Sequence, residues 1–244
     1  DVFHIIGCRN IQLRQIAARE LYPFIIDYKQ KLLYADFLPM YYYTPLVNNK
    51  LEKNELSQNN IYSCPQTLFK IHPDFDFVLS KILKEDKKAK LFFIKDTNNT
   101  YYKKLLDRFK KNKEMDLDRI EFVEGMSWED YINHCGRASV LLDPLFYSAG
   151  NSFYESMFYG TPSVTKPTEH TKSRLVLAAY KQMKIDEAPI VDNVDDYVKK
   201  AIEIANNKKL YDIKNYYNES AKKRLYENKE IIPNLEKIFT KIIN

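Results

Sequence analysis

The chain has 244 residues, 45% hydrophobic and 29% charged, with 38 basic and 33 acidic residues giving a net charge of +5. The composition is globular, with 19 Tyr and 14 Phe to build a core, in one large domain or one domain with an appendage. The small basic excess is scattered rather than gathered into a stripe, which argues against nucleic acid as a partner, and no apolar run approaches the length of a membrane span. The N-terminus, DVFHIIGCRN, lacks the basic flank, long apolar stretch and cleavage site of a signal peptide. It also lacks an initiator Met, so the chain reads as a fragment, a processed product or a trimmed chain. Three widely spaced cysteines, Cys8, Cys64 and Cys135, have no CxxC pair and no metal-ligand spacing with the four histidines. Packed, reduced thiols in a cytoplasmic protein are expected.

In chain order, residues 2–6 (VFHII) form a short strand candidate. Residues 10–33 carry apolar residues at helical spacing, divided at Pro23. Residues 34–60 are a connector with a tyrosine run, Tyr41 to Tyr43, and then a polar segment that marks a boundary. From residue 61 the pattern alternates. Strands are expected at 61–64, 89–95, 119–124, 139–143 and 162–166, with 189–191 as a further candidate. Helices are expected at 73–86, 98–112, 127–136, 151–159, 170–183 and 193–207. Short apolar runs between helices imply an α/β fold, a Rossmann-like parallel sheet covered by helices on both faces. Residues 208–244 read as two helices broken near Pro233. The expected division is therefore 1–60 as an N-terminal helical segment and connector, 61–207 as a Rossmann-like lobe, and 208–244 as C-terminal helices. No internal repeat is visible.

The most informative run begins at Leu142: LDPLFYSAGNSFYESMFYGTPSV. An apolar strand ends in Asp143-Pro144, a Gly-Asn-Ser turn follows, and a helix carries Glu155 near its start. Gly160-Thr161-Pro162 stops that helix, and a second apolar run begins. In open parallel sheets, ligands sit at the carboxyl ends of strands. A turn of small polar residues before a helix offers free N–H groups to a phosphate, and a carboxylate one turn on can accept from a ribose diol. The run reads as a nucleotide-diphosphate cradle.

Three segments resemble the C-terminal half of the protein O-GlcNAc transferase family, most nearly its bacterial members. They are YSCPQTLFKIHPDFD (62–76), FVEGMSWEDYINHCGRASVLLDP (122–144) and GNSFYESMFYGTPSVTKPTEHTKSR (150–174). KLLYADFLPMYYYTP (31–45) resembles the connector that enters that half. The resemblance runs from about residue 31 to the helix at 193–207; residues 1–30 match nothing. It implies the C-terminal lobe of a B-type glycosyltransferase fold, in which two Rossmann-like lobes face each other across a cleft. It also implies a UDP-sugar donor, usually UDP-GlcNAc, a protein or glycan acceptor, inversion at the anomeric carbon, and no metal or other cofactor. By the resemblance, the family's N-terminal lobe is expected to be absent or a remnant in this sequence, and a second chain or missing lobe is an expected partner.

By this resemblance Lys70 is the catalytic lysine on the nucleotide diphosphate, where a fixed ammonium stabilises the departing UDP. Gln66 and Thr67 lie on the same turn, facing diphosphate or sugar. Gly150, Asn151 and Ser152 take the phosphate-loop positions, and Glu155 takes that of the acid on the ribose hydroxyls. Met126 and Tyr131 fall in the base pocket, where the Tyr131 ring would stack on the base. Trp128 stands where animal members carry a lysine, to cover the ribose or sit half exposed. Arg174 would reach the diphosphate or brace the loop. His72 is read as a cap or packing residue rather than an acid–base group, and Cys64 and Cys135 as core. No acceptor base is visible. Two other readings stay open: a non-catalytic nucleotide-binding or assembly module, and a GDP-sugar transferase.

Overall fold

The computed structural model describes residues 37–55 and 60–243. The expected strand at 2–6 and the helical stretch at 10–33 lie outside them, as does Cys8. Five strands form one parallel sheet: β1 (Ile61–Cys64), β2 (Lys90–Ile94), β3 (Ile120–Val123), β4 (Val140–Leu142) and β5 (Ser163–Val164). Their order is β3-β2-β1-β4-β5. Register is set by pairs such as Ser63 with Phe92, Tyr62 with Val140, and Leu142 with Val164. The expected strand at 189–191 reduces to one bridge between Thr165 and Ile190. Pro189 has no N–H to donate, and its carbonyl takes the Thr165 N–H.

Eight helices connect and flank the strands among the described residues: α1 (Phe75–Glu85), α2 (Thr100–Lys111), α3 (Trp128–Arg137), α4 (Asn151–Ser156), α5 (Leu175–Met183), α6 (Val194–Ala205), α7 (Leu210–Arg224) and α8 (Ile231–Ile243). Each forms for a local reason. In α1, Phe75, Val78, Leu79, Ile82 and Leu83 recur at i, i+3, i+4, i+7 and i+8, so one stripe is fully buried. Each such side chain stabilises by roughly 1.5–3 kcal/mol. At the start of α2 the Asp96 carboxylate accepts from the N–H groups of Thr100, Tyr101 and Tyr102 at 2.8, 3.2 and 2.8 Å. Ser127 and Asn193 cap α3 and α6 by accepting from the N–H groups three residues on, as their sequences predict.

Helices α1, α2 and α6 bury one apolar set with the sheet, including Tyr62, Phe93, Phe109 and Tyr197. Helices α4, α5 and α7 bury a second set, including Phe153, Tyr180, Met183 and Tyr217. Three helix expectations need correction. The 170–183 helix begins only at Leu175, because Thr171–Ser173 form a 3-10 turn. The 151–159 helix ends at Ser156, since the chain must bend to Gly160. The break in the C-terminal helices falls between Arg224 and Ile231, with Glu227 at φ 47°, and not at Pro233. Pro233 sits in the first turn of α8, where a missing N–H leaves no helical bond unmade.

The described part of the connector, residues 37–55, is tied to the lobe. It straps across the second apolar set, with Leu38 buried and its N–H donating to Gln182 Oε1 at 2.7 Å. Tyr42 bridges to Tyr226, the Thr44 N–H donates to Glu227, and the Leu51 N–H donates to the Tyr159 hydroxyl.

Candidate functional site

The strand order reverses between β1 and β4. The chain leaves β1 towards β2 on one side and leaves β4 towards β5 on the other, so their carboxyl ends flank a topological switch point. Ligands of open α/β sheets bind there. Two of the sequence-predicted loops meet at this point: 65–70 after β1 and 143–150 after β4.

Lys70 ends a 3-10 turn (Leu68–Lys70) and reaches across to the second loop. Its Nζ donates to the Ser148 carbonyl at 3.2 Å and lies 4.4 Å from the centre of the Tyr147 ring. Burial lowers the ammonium's pKa, against the pull of the nearby Asp143 carboxylate. Phe146, at φ 71°, holds a left-handed conformation that costs a non-glycine residue strain. That turn lies directly before Tyr147 and Ser148, the two residues that Lys70 meets.

Asp143 organises this loop, a role not assigned from the sequence, where it stood only as the residue that ends the strand. Its buried carboxylate accepts from Ser148 Oγ at 2.8 Å, the Ala149 N–H at 2.6 Å and Thr165 Oγ1 at 2.6 Å. Burial pushes its pKa up to about 6, and those hydrogen bonds with the Lys70 charge only partly pull it back.

Gln66 is buried, with its amide nitrogen 3.5 Å from the Leu142 carbonyl and no hydrogen-bond partner for its Oε1 among the described residues. Thr67 is exposed and makes no side-chain cap bond at the start of the 3-10 turn. Gly150 directly precedes α4, while Asn151 is exposed and Ser152 half-buried in its first turn. Arg174 is buried, and its Nη1 donates to the Thr168 carbonyl at 2.6 Å. That contact braces the 168–174 turn.

Glu155, on α4, meets Tyr131 of α3. The Glu155 Oε1 accepts from the Tyr42 hydroxyl at 3.3 Å. Burial raises the pKa of Glu155, while hydrogen bonds from Tyr42, Trp128 and Tyr131 oppose the rise. The Tyr131 hydroxyl is pushed well up by its burial, then by Cys135 and Glu155. Met126 is half-buried in the loop before α3, and Trp128 opens that helix 45% exposed. Tyr42 was missed from the sequence, because it lies 113 residues from Glu155.

His72 accepts from the Asp74 N–H at 3.2 Å and packs edge-on against Phe146, which is a capping and packing role. Cys64 and Cys135 are buried thiols, with pKa values raised by burial, to about 12 for Cys135. Among the described residues no three His, Cys, Asp or Glu side chains gather as a metal site, and no helix is long and apolar enough to cross a membrane. The cleft lined by Pro162, Ile185, Pro189, Asn207 and Tyr216 lies at the β5 edge, away from the Lys70 loops.

The chain superposes on solved glycosyltransferases. A Thermobaculum terrenum O-GlcNAc transferase variant matches with a TM-score of 0.67 and 18% identity, over 75% of this chain and 36% of that one. The fold is that of a glycosyltransferase lobe. TarM matches with a TM-score of 0.59 and 13% identity, over 82% of this chain and 38% of its own. Sucrose-phosphate synthase from Thermosynechococcus elongatus matches with 0.58 and 13%, over 93% of this chain and 56% of its own. The chain therefore spans less than two thirds of each of these proteins. No protein-family profile matches the chain, and no curated protein matches it in sequence.

Proposed function

We propose that this chain is the nucleotide-sugar-binding lobe of a glycosyltransferase related to the protein O-GlcNAc transferases. It would transfer GlcNAc or a hexose from a UDP-sugar to a protein or glycan, with inversion and without metal. An acceptor oxygen attacks the anomeric carbon. The bond from that carbon to the β-phosphate oxygen breaks, and its electron pair leaves with UDP. The acceptor's proton passes to a base that a missing lobe, a partner chain or the acceptor itself would supply.

In this reading the diphosphate lies at the switch point. The Lys70 ammonium and the N–H groups of Gly150, Asn151 and Ser152 meet the charge that grows on the leaving group. Gln66 and Thr67 line the diphosphate or the sugar. Glu155 takes the ribose hydroxyls, Tyr131 and Met126 take the base, and Arg174 braces the loop. The observation that carries the reading is the position of Lys70: a lysine reaching from the β1 loop to the β4 loop at the switch point, on a lobe of glycosyltransferase fold.

UDP should raise the melting temperature, because a ligand bound only by the folded state stabilises it. It should do so more than GDP, and the chain should release sugar from UDP-GlcNAc. A melting temperature unmoved by either nucleotide would defeat the reading. A second reading has support in the single sheet that the described residues build: a lobe that binds nucleotide without turnover. Binding by UDP with no sugar release from the full chain would favour it.

A further inference from the structure

The strap that carries Tyr42 is held at both sides of that residue. The Glu227 N–H donates to the Tyr42 carbonyl at 2.8 Å, and the Thr44 N–H donates to Glu227 Oε1 at 3.2 Å. The Tyr42 ring stacks on Tyr154, with centroids 4.7 Å apart and planes 22° apart. Tyr226 bridges to Tyr42 and donates its hydroxyl to the Tyr154 carbonyl. Ring and backbone are therefore both held, and the hydroxyl donates to Glu155 Oε1, 3.3 Å away, beside hydrogen bonds to the same carboxylate from Trp128 and Tyr131. Tyr154 itself lies beside Glu155 on α4.

We propose that Tyr42 is a positioning residue for Glu155: its hydroxyl joins Trp128 and Tyr131 in fixing the orientation in which that carboxylate would meet a vicinal diol, so the connector contributes to a preference for ribose over deoxyribose. This rests on the nucleotide reading of Glu155. Two consequences follow from the geometry. A carboxylate held by three donors loses little orientational freedom when a diol arrives, whereas one that has lost a donor must be ordered further by the ligand. Removing the hydroxyl also removes a donor to the charged form, and the Glu155 carboxyl then ionises less readily.

Tyr42→Phe deletes the hydroxyl and keeps the ring stack. Two measurements on the full chain separate the possibilities. In the first, the Glu155 carboxyl is followed by carbon NMR through a pH titration and assigned with Glu155→Gln. Its midpoint should move up in Tyr42→Phe; an unmoved midpoint overturns the proposal whether or not a nucleotide binds. In the second, UDP and 2′-deoxy-UDP are titrated calorimetrically. The wild-type chain should prefer UDP, and Tyr42→Phe should weaken UDP about tenfold while leaving 2′-deoxy-UDP within about twofold. Equal losses for both nucleotides, or no loss for either, overturn it. A wild-type chain that binds no UDP defeats the proposed function instead, and the carboxyl titration alone then decides the role of Tyr42.

Discussion

Asp143 and His134 titrate in the same pH window with opposite signs. The folded pKa of Asp143 is about 6, above its ordinary 3.8, because burial penalises the anion. Its ionised form therefore costs stability above pH 6, and that cost disappears as pH falls towards 3.8. His134 packs against Phe92 and pairs with Ser63 Oγ, and burial lowers its pKa from 6.5 to about 4. The native state keeps it neutral, so stability is lost as pH falls from 6.5 to 4. Each effect is of order 3 kcal/mol, at about 1.4 kcal/mol per pH unit, so they nearly cancel in the wild-type chain. Urea unfolding between about pH 7 and about pH 5 should show stability falling more steeply with acid in Asp143→Asn, and flat or rising in His134→Gln. Parallel profiles in both variants would contradict these assignments. The sequence shows neither group's environment, because Asp143 meets Thr165, 22 residues on, just past β5, and Ser63 meets His134 across 71 residues.

The docking of α7 explains why the turn after α4 contains glycine. Gly160 has φ +65°, and a Cβ there would lie 1.8 Å from the Lys214 carbonyl oxygen and 2.7 Å from the Asn218 nitrogen. Both neighbours are backbone and cannot yield cheaply. The same helix face sends Lys214 Nζ to the carbonyls of Gly136 and Ala138 at 2.7 and 2.6 Å, and Asn218 to those of Met157 and Phe158. One helix thus satisfies the open ends of both α3 and α4, the two helices that present Tyr131 and Glu155. Gly160→Ala should cost at least about 3 kcal/mol in chemical unfolding, the range of strained-backbone and overpacking changes; a loss below about 1 kcal/mol would show that α7 can move aside. A breaker at Gly160-Thr161-Pro162 is readable from sequence. That the glycine also accommodates a helix some fifty residues later is not. The elements with strong periodicity, such as α1, were readable almost to the residue. The failures lie where tertiary contacts decide: the 3-10 turn before α5, the early end of α4, and a Pro233 that opens a helix instead of breaking one.

At the scale of the molecule, alternation of short apolar runs with helices was enough to anticipate a parallel sheet with both faces covered. The strand order was not legible, because it depends on which side each crossover passes, and it is this order that places the 65–70 and 143–150 loops at one point. The motifs marked Lys70, Glu155 and the Gly150 turn, while Tyr42 stood in the sequence only as part of a tyrosine run, with nothing to show that it meets Glu155 across 113 residues. The central claim is that a diphosphate docks at the switch point against Lys70. Its most direct test is calorimetric titration of UDP and of uridine into the wild-type chain and Lys70→Met. UDP should bind the wild type and weaken at least about tenfold in the variant, the scale of a lost hydrogen bond to a charged group, while uridine binds both equally. Equal UDP affinity in the two proteins, or a uridine loss matching the UDP loss, would contradict it.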